Sequence, residues 1–195
     1  MNKGYLFILT TAFLFGTMET ALKFFGSLFH PIQITVLRFF IGGFMLLPLA
    51  RAALKTHGAV LTKKDYLFFA KAGFIGVFVS MIFYQLAVVY GKAAVSGVLF
   101  SCNPIFVAVW AHFLLHETID RYVISSLVLS AVGILSIVNP FHFRGTYLSV
   151  ILIMLAAVTF GLYSVMGRPA CQRLGGVTVT SYSFIFGAAE LLVLV

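Results

Sequence analysis

Residues 66–89 read YLFFAKAGFIGVFVSMIFYQLAVV, an unbroken apolar run that holds a single charge, Lys71. A helix needs about 20 mostly apolar residues to cross the hydrocarbon layer of a bilayer. One such run decides little. Its neighbours decide the rest, because similar runs recur on both sides. They lie at Tyr5–Phe25, Ile32–Ala50, Ala94–Leu115, Tyr122–Val138 and Tyr147–Met166, and a seventh starts near Val177 and continues to Val195. The connections between them are short and hold Gly, Pro, Asn or charge, as at His30-Pro31 and Tyr90-Gly91-Lys92. The expected fold is therefore all-α, a polytopic transmembrane helix bundle of about seven spanning segments.

Composition excludes the alternatives. Hydrophobic residues make up 62% of the 195 and charged residues 9%, where a soluble domain carries roughly a quarter charged residues. Too few charges remain to cover a soluble surface, and lipid tails remove the need for one. The net charge of +8 would point a soluble chain towards nucleic acid. Here the basic residues sit between the apolar runs, as membrane topology asks, so no nucleic-acid partner is expected. Cys102 and Cys171 lie in or at the end of apolar segments without a CxxC spacing or nearby histidines. They read as packing residues. Neither a catalytic constellation nor a metal-ligand set is found, and no cofactor is expected.

Orientation follows from the longest connection, Arg51 to Asp65, which carries Arg51, Lys55, Lys63 and Lys64. Loops rich in Lys and Arg stay in the cytoplasm. That places the N-terminus inside, together with the loops of Arg121 and of Arg168 and Arg173. A multi-pass protein of the cell (plasma or inner) membrane is expected. The first run is too long for a signal peptide and holds Glu19 and Lys23, so it reads as a retained helix.

The sequence also repeats itself. At an offset of 145, Phe15-Gly16 falls on Phe160-Gly161, Lys23 on Arg168, Thr35 on Thr180, Phe39 on Phe184 and Gly42 on Gly187. Residues 5–50 give ten identities in 46 ungapped positions, where so biased a composition gives about four by chance. Five segments separate a position from its copy, and an odd number of crossings turns the copy upside down. Inverted repeats of this kind are typical of secondary transporters, whose sites lie where the halves meet. Residues 1–140 read as one five-helix unit and residues 141–195 as the start of its inverted copy. Extrapolating the period gives a protein of about 290 residues, of which this chain is expected to be a fragment.

The motifs along this frame resemble the EamA family of the drug/metabolite transporter superfamily. They are Phe15-Gly16 and Lys23 in the first segment, Leu37-Arg38-Phe39 in the second and Tyr84-Gln85-Leu86-Ala87 in the third. The fourth carries Asn103-Pro104-Ile105-Phe106 and ends in Leu114-Leu115-His116-Glu117-Thr118, and the fifth carries Gly133. The resemblance implies ten helices in two inverted five-helix repeats, a central cavity and the transport of small metabolites, usually outward. Where the family often has Gly before the Glu closing the fourth helix, this chain has His116.

Polar groups inside the membrane are costly and mark candidate sites. Glu19 and Lys23 share one face of the first segment with Ala12, Gly16 and Gly26. At a rise of about 1.5 Å per residue, Glu19, Lys23 and Arg38 lie at similar depths in the outer third. A Glu19–Arg38 or Glu19–Lys23 ion pair would offset the burial cost. Such a pair is either structural or part of substrate binding or proton coupling. Asn103-Pro104 falls about 14 Å into the fourth segment, near the midplane. Pro104 cannot donate a hydrogen bond and crowds the Phe100 carbonyl, so the helix should kink or open there. Backbone freed at that depth must be buried in protein or line a cavity. Gln85 lies near the end of the third segment, and Ser164 stands where Glu19 stands in the first unit. The candidate substrate-pathway or ion-coupling residues are thus Glu19, Lys23, Arg38, Gln85, Asn103, Pro104 and Ser164. Glu117 reads as a structural element of a cytoplasmic loop, and Glu190 is intramembrane with an open role. The expected activity is that of a secondary transporter, not an enzyme. Its partners are the lipid bilayer and a small-molecule substrate, with a homodimer also to be considered. A non-transporting scaffold and a lipid-acting membrane enzyme are the alternatives.

Overall fold

The computed structural model describes residues 4–6, 9–10, 13–14, 17, 30–138 and 147–194. The described residues of the first apolar run are helical, but Phe15, Gly16, Glu19 and Lys23 lie outside the described set. The chain is an all-α polytopic bundle, with no strand among the described residues. Its helices are α1 (Pro31–Thr56), α2 (Lys63–Gly73), a π-helical turn (Phe74–Val79), α3 (Ser80–Tyr90), α4 (Ala93–Phe100), α5 (Asn103–Leu115), α6 (Arg121–Val138), α7 (Tyr147–Leu174) and α8 (Gly176–Leu191). Four continuous or nearly continuous stretches among the described residues are long and apolar enough to cross a membrane: Ile32–Thr56, Lys63–Tyr90, Val95–Leu115 and Tyr147–Leu174.

The helix ends carry ordinary local signals. Pro31 opens α1, where its missing N–H costs nothing. Asp65 closes back on Thr62 at the start of α2, as in a capping box. Its carboxylate accepts the Thr62 amide at 2.8 Å and the Thr62 hydroxyl at 2.7 Å. Two helices outrun the expected spans. α1 continues past Ala50 to Thr56, and α7 passes Met166 and Pro169 to end at Leu174. Apolar run length measures the hydrocarbon layer, and a helix can continue beyond it as an amphipathic tail. Gly175 then turns the chain at φ 83°, a conformation that suits glycine, and α8 begins at once.

α7 and α8 are the packing centre of the described structure. α8 lies along α1, α2 and the π-turn, and α7 lies along α3, α4 and α5. The closest approaches are made by small residues. A Cβ on Gly73 would fall 2.6 Å from the Gly187 amide nitrogen, and one on Gly187 would fall 2.6 Å from the Gly73 carbonyl oxygen. The two backbones therefore touch directly, as membrane helices do in the absence of a hydrophobic force between them. Hydroxyls and an indole add bonds to the carbonyls of neighbouring helices. Ser80 bonds Ala156 at 2.9 Å and Ser149 bonds Ala87 at 2.8 Å. Ser181 bonds Gly43 at 2.8 Å, Thr178 bonds Ala50 at 3.2 Å and Trp110 Nε1 bonds Val158 at 3.0 Å.

α1 begins at Pro31 and α8 at Gly176, in step with the offset of the sequence repeat. Between them the rings of Phe39 and Phe184, which share that offset, meet edge to face with centroids 4.7 Å apart.

The Gly73–Gly187 crossing leaves no room for a side chain. Gly73→Leu and Gly187→Leu should each destabilise the fold by roughly 1–3 kcal/mol or more through overpacking. Gly133→Ala, whose Cβ meets nothing within 4 Å, should leave the fold intact. Thermal unfolding in detergent, followed by size-exclusion chromatography, checks the contrast.

Candidate functional site

The fourth span is interrupted by a tight turn. α4 stops at Phe100, Ser101 and Cys102 form a turn, and α5 starts at Asn103 with Pro104 as its second residue. Proline is tolerated in the first turn of a helix because its N–H has no partner to lose there. The turn is closed by short-range bonds, Cys102 N–H to Leu99 O at 3.0 Å and Ile105 N–H to Cys102 O at 2.9 Å. The interruption is a tight turn, with Ser101 (φ -65°, ψ -8°) and Cys102 (φ -68°, ψ -11°) both in the right-handed helical region.

α5 runs from this break along an open cleft of about 560 Å³. Asn103, Pro104, Val107, Ala108 and Ala111 supply one wall, a single face at helical spacing. The connection to α6 supplies Glu117, Thr118 and Ile119. α6 supplies Tyr122, Val123, Ser126 and Leu127, and α7 supplies Arg168. At the deep end the Asn103 Oδ1 is buried without a hydrogen-bond partner among the described residues. A buried acceptor left in that state is costly and calls for a partner.

The shallow end is closed by an ion pair. Arg168 Nη1 donates to both carboxylate oxygens of Glu117, at 2.7 Å and 2.8 Å. His116 turns the chain so that Glu117 can reach it. His116 has φ 53° and ψ 30°, the left-handed region. This brings the Glu117 amide to 3.3 Å from the Ala111 carbonyl. His112 Nδ1 lies 2.9 Å from the Glu117 carbonyl, which can only accept, so the ring carries its proton there. A second ion pair, Arg173 with Asp65, joins α7 to the start of α2 at the same end of the bundle.

Asn103, Pro104 and Glu117 are therefore brought to one cleft, and the other described candidates, Arg38, Gln85 and Ser164, are not. Arg38 sits on α1 with Nη2 3.7 Å from Met81 Sδ and its guanidinium 4.8 Å from the Phe39 ring centroid. Gln85 is buried on α3, its Oε1 without a partner among the described residues. Ser164 donates to Phe160 O of its own helix at 2.9 Å. None of these three lines the cleft. The expected pairs of Glu19 with Lys23 or Arg38 fall on residues outside the described set. Arg168 joins the site from outside the sequence candidates, since its partner lies 51 positions away. The sequence signal for it is its place opposite Lys23 in the repeat. Lys71 and Glu190 line a second, smaller cleft of about 340 Å³ with Phe74, Ile75 and Met166.

A side chain in the left-handed region costs about 1–2 kcal/mol, and glycine escapes that strain while losing roughly 0.5–1 kcal/mol of chain entropy. His116→Gly should therefore be neutral to stabilising by about 1 kcal/mol, and His116→Val destabilising by about as much. Unfolding midpoints in detergent measure both. A lower midpoint for the glycine variant than for the valine variant contradicts the strained cap.

Comparison with known proteins agrees with this architecture. Residues 2–139 match the model of the EamA-like transporter family. The chain is 34% identical over 202 residues to an uncharacterized transporter of Clostridium kluyveri, a match covering 100% of this chain and 65% of that protein. It is 27% identical over 191 residues to an uncharacterized transporter of Archaeoglobus fulgidus, covering 98% and 66%. A third relative, the uncharacterized transporter YetK of Bacillus subtilis, is 29% identical over 160 residues, covering 77% of this chain and 47% of that protein. No solved structure matches the chain. The chain spans about two thirds of the length of the first two relatives, 65% and 66%. With a family match over residues 2–139 and membrane-spanning apolar helices beneath it, the chain belongs to the EamA-like transporter family.

Proposed function

We propose that the protein is a secondary transporter that exports a small metabolite by alternating access, and that the cleft along α5 is part of its substrate pathway. The observation that carries this reading is the helix break at Asn103-Pro104. An interrupted helix inside a membrane needs a cavity or protein around it. Here the break opens onto a cleft that runs to the end of the bundle. Broken helices that build substrate sites are a recurring device of secondary transporters.

Residues 1–140 form the first unit in this reading, and residues 141–195 begin an inverted second one. A pseudo-two-fold axis brings a residue against its own copy only where the axis passes. The contact of Phe39 with Phe184, at the repeat offset, supports an axis between α1 and α8. The cytoplasmic side is the end that carries Arg51, Lys55, Lys63, Lys64, Arg121 and Arg173, because basic loops stay inside. Glu117 and Arg168 would then close the inner mouth of the pathway, and Glu19 would act in coupling from the first helix.

Flux through proteoliposomes holding the full-length protein, assayed against a metabolite panel, tests the proposal. Accumulation of at least one compound is expected, with a pH dependence that Glu19→Gln abolishes in a folded protein. Folded protein that moves none of the panel overturns the transport reading.

A further inference from the structure

We infer that Arg168 is a ligand-binding residue of the cleft and Glu117 its displaceable counter-ion, so that the cleft takes a small organic anion with an apolar body. The inference rests on the reading of this cleft as the substrate pathway and names the class of compound that enters it.

The bonding at Arg168 is one-sided. A single nitrogen, Nη1, makes both contacts to Glu117. Among the described residues, Nη2 and Nε bond to nothing else. A guanidinium is a planar fork suited to gripping a carboxylate or phosphate with two parallel bonds, and here that grip is left unused. Arg168 is also the one cation lining the cleft among the described residues.

Exchange of partners is cheap at this position. The side chains of Arg168 and Glu117 are 40% and 51% exposed, and half-exposed ion pairs contribute little to stability. Glu117 can move into water without stranding a buried charge. The residue before it, His116, is held in the left-handed region, so the carboxylate is presented by a strained turn. An incoming anion that takes the Arg168 fork releases Glu117, and with it the tie between the α5–α6 connection and α7. Binding the ligand and unlatching the mouth become one event.

Charge and shape set the rest of the ligand. The same end of the bundle carries Arg51, Lys55, Lys63, Lys64 and Arg121, against Asp120 and the paired Asp65. That field draws anions towards the mouth. Between the mouth and Asn103 the walls are mostly apolar, with Val107, Ala108, Ala111 and Leu127. From Ala111 to Asn103 along α5 is about 12 Å at the usual helical rise. The unpartnered Oδ1 of Asn103 would accept from an N–H or O–H at the far end of a longer ligand.

The test uses full-length protein in detergent and two probes of equal size at fixed ionic strength, benzoate and the uncharged benzyl alcohol. Benzoate should raise the unfolding midpoint by a few degrees, and benzyl alcohol should leave it unmoved. Glu117→Gln, which frees the guanidinium, should enlarge the benzoate shift, and Arg168→Gln should remove it. Should Arg168→Gln fail to fold, Arg168→Lys keeps the test, with a benzoate shift cut to less than half. Equal shifts from the two probes, or a full benzoate shift without the Arg168 guanidinium, overturn the inference. Binding is read here without flux, so a protein that transports but ignores benzoate loses this inference and keeps the pathway.

Discussion

Inside a hydrocarbon layer a backbone amide or carbonyl has no water to turn to, and each must find its partner within the protein. Long helices answer this demand for most of the chain, as in Ile32–Thr56, Lys63–Tyr90 and Tyr147–Leu174. Where the helical ladder is interrupted, the same demand decides what must surround it. At Ser101 and Cys102 the interruption is closed by tight local bonds, and the cleft begins at the next two residues, Asn103 and Pro104. The candidate site borders this interruption of the fourth span, where Pro104 takes a place in the first turn of α5 that needs no N–H donor.

Holding the helices together is a separate problem, since lipid tails solvate leucine as well as leucine does. Small residues and hydroxyls solve it here. Gly73 and Gly187 bring two backbones into contact, and Ser80, Ser149, Thr178 and Ser181 each donate to a carbonyl of a neighbouring helix. All of these contacts join α7 or α8 to helices earlier in the chain. Ion pairs are kept for the end of the bundle, where Glu117–Arg168 and Asp65–Arg173 tie the end of α7 to its neighbours. Packing fixes the interior, and exposed charge latches the rim, where it can be exchanged.

Much of this is legible in the sequence because the solvent imposes simple rules. Run length locates the spans Ile32–Thr56, Lys63–Tyr90, Val95–Leu115 and Tyr147–Leu174, and the interruption beside Asn103-Pro104 follows from proline chemistry. The helix ends are less legible. α1 runs on to Thr56 and α7 to Leu174, because an apolar run reports the membrane and not the last hydrogen bond. Glu117 reads as a loop element and lies in the connection between α5 and α6, but its partner Arg168 lies 51 positions on and in another helix. No local pattern pairs them. His116 stands out only as a departure from a common glycine, and its left-handed backbone explains why glycine suits that position. Arg38, Gln85 and Ser164 are polar at membrane depth but pack away from the cleft. Depth by itself does not say which face of a bundle a side chain serves.

The role of the cleft depends on water reaching Asn103 along α5. Asn103→Cys in a background carrying Cys102→Ser and Cys171→Ser, treated with a membrane-impermeant maleimide in sealed vesicles of each orientation, measures this directly. Leu129→Cys, on the apolar outer side of α6 where Leu129 is 75% exposed, provides the lipid-facing reference. A water-filled cleft predicts labelling at position 103 from at least one side and none at position 129. Protection of both positions from both sides would contradict it.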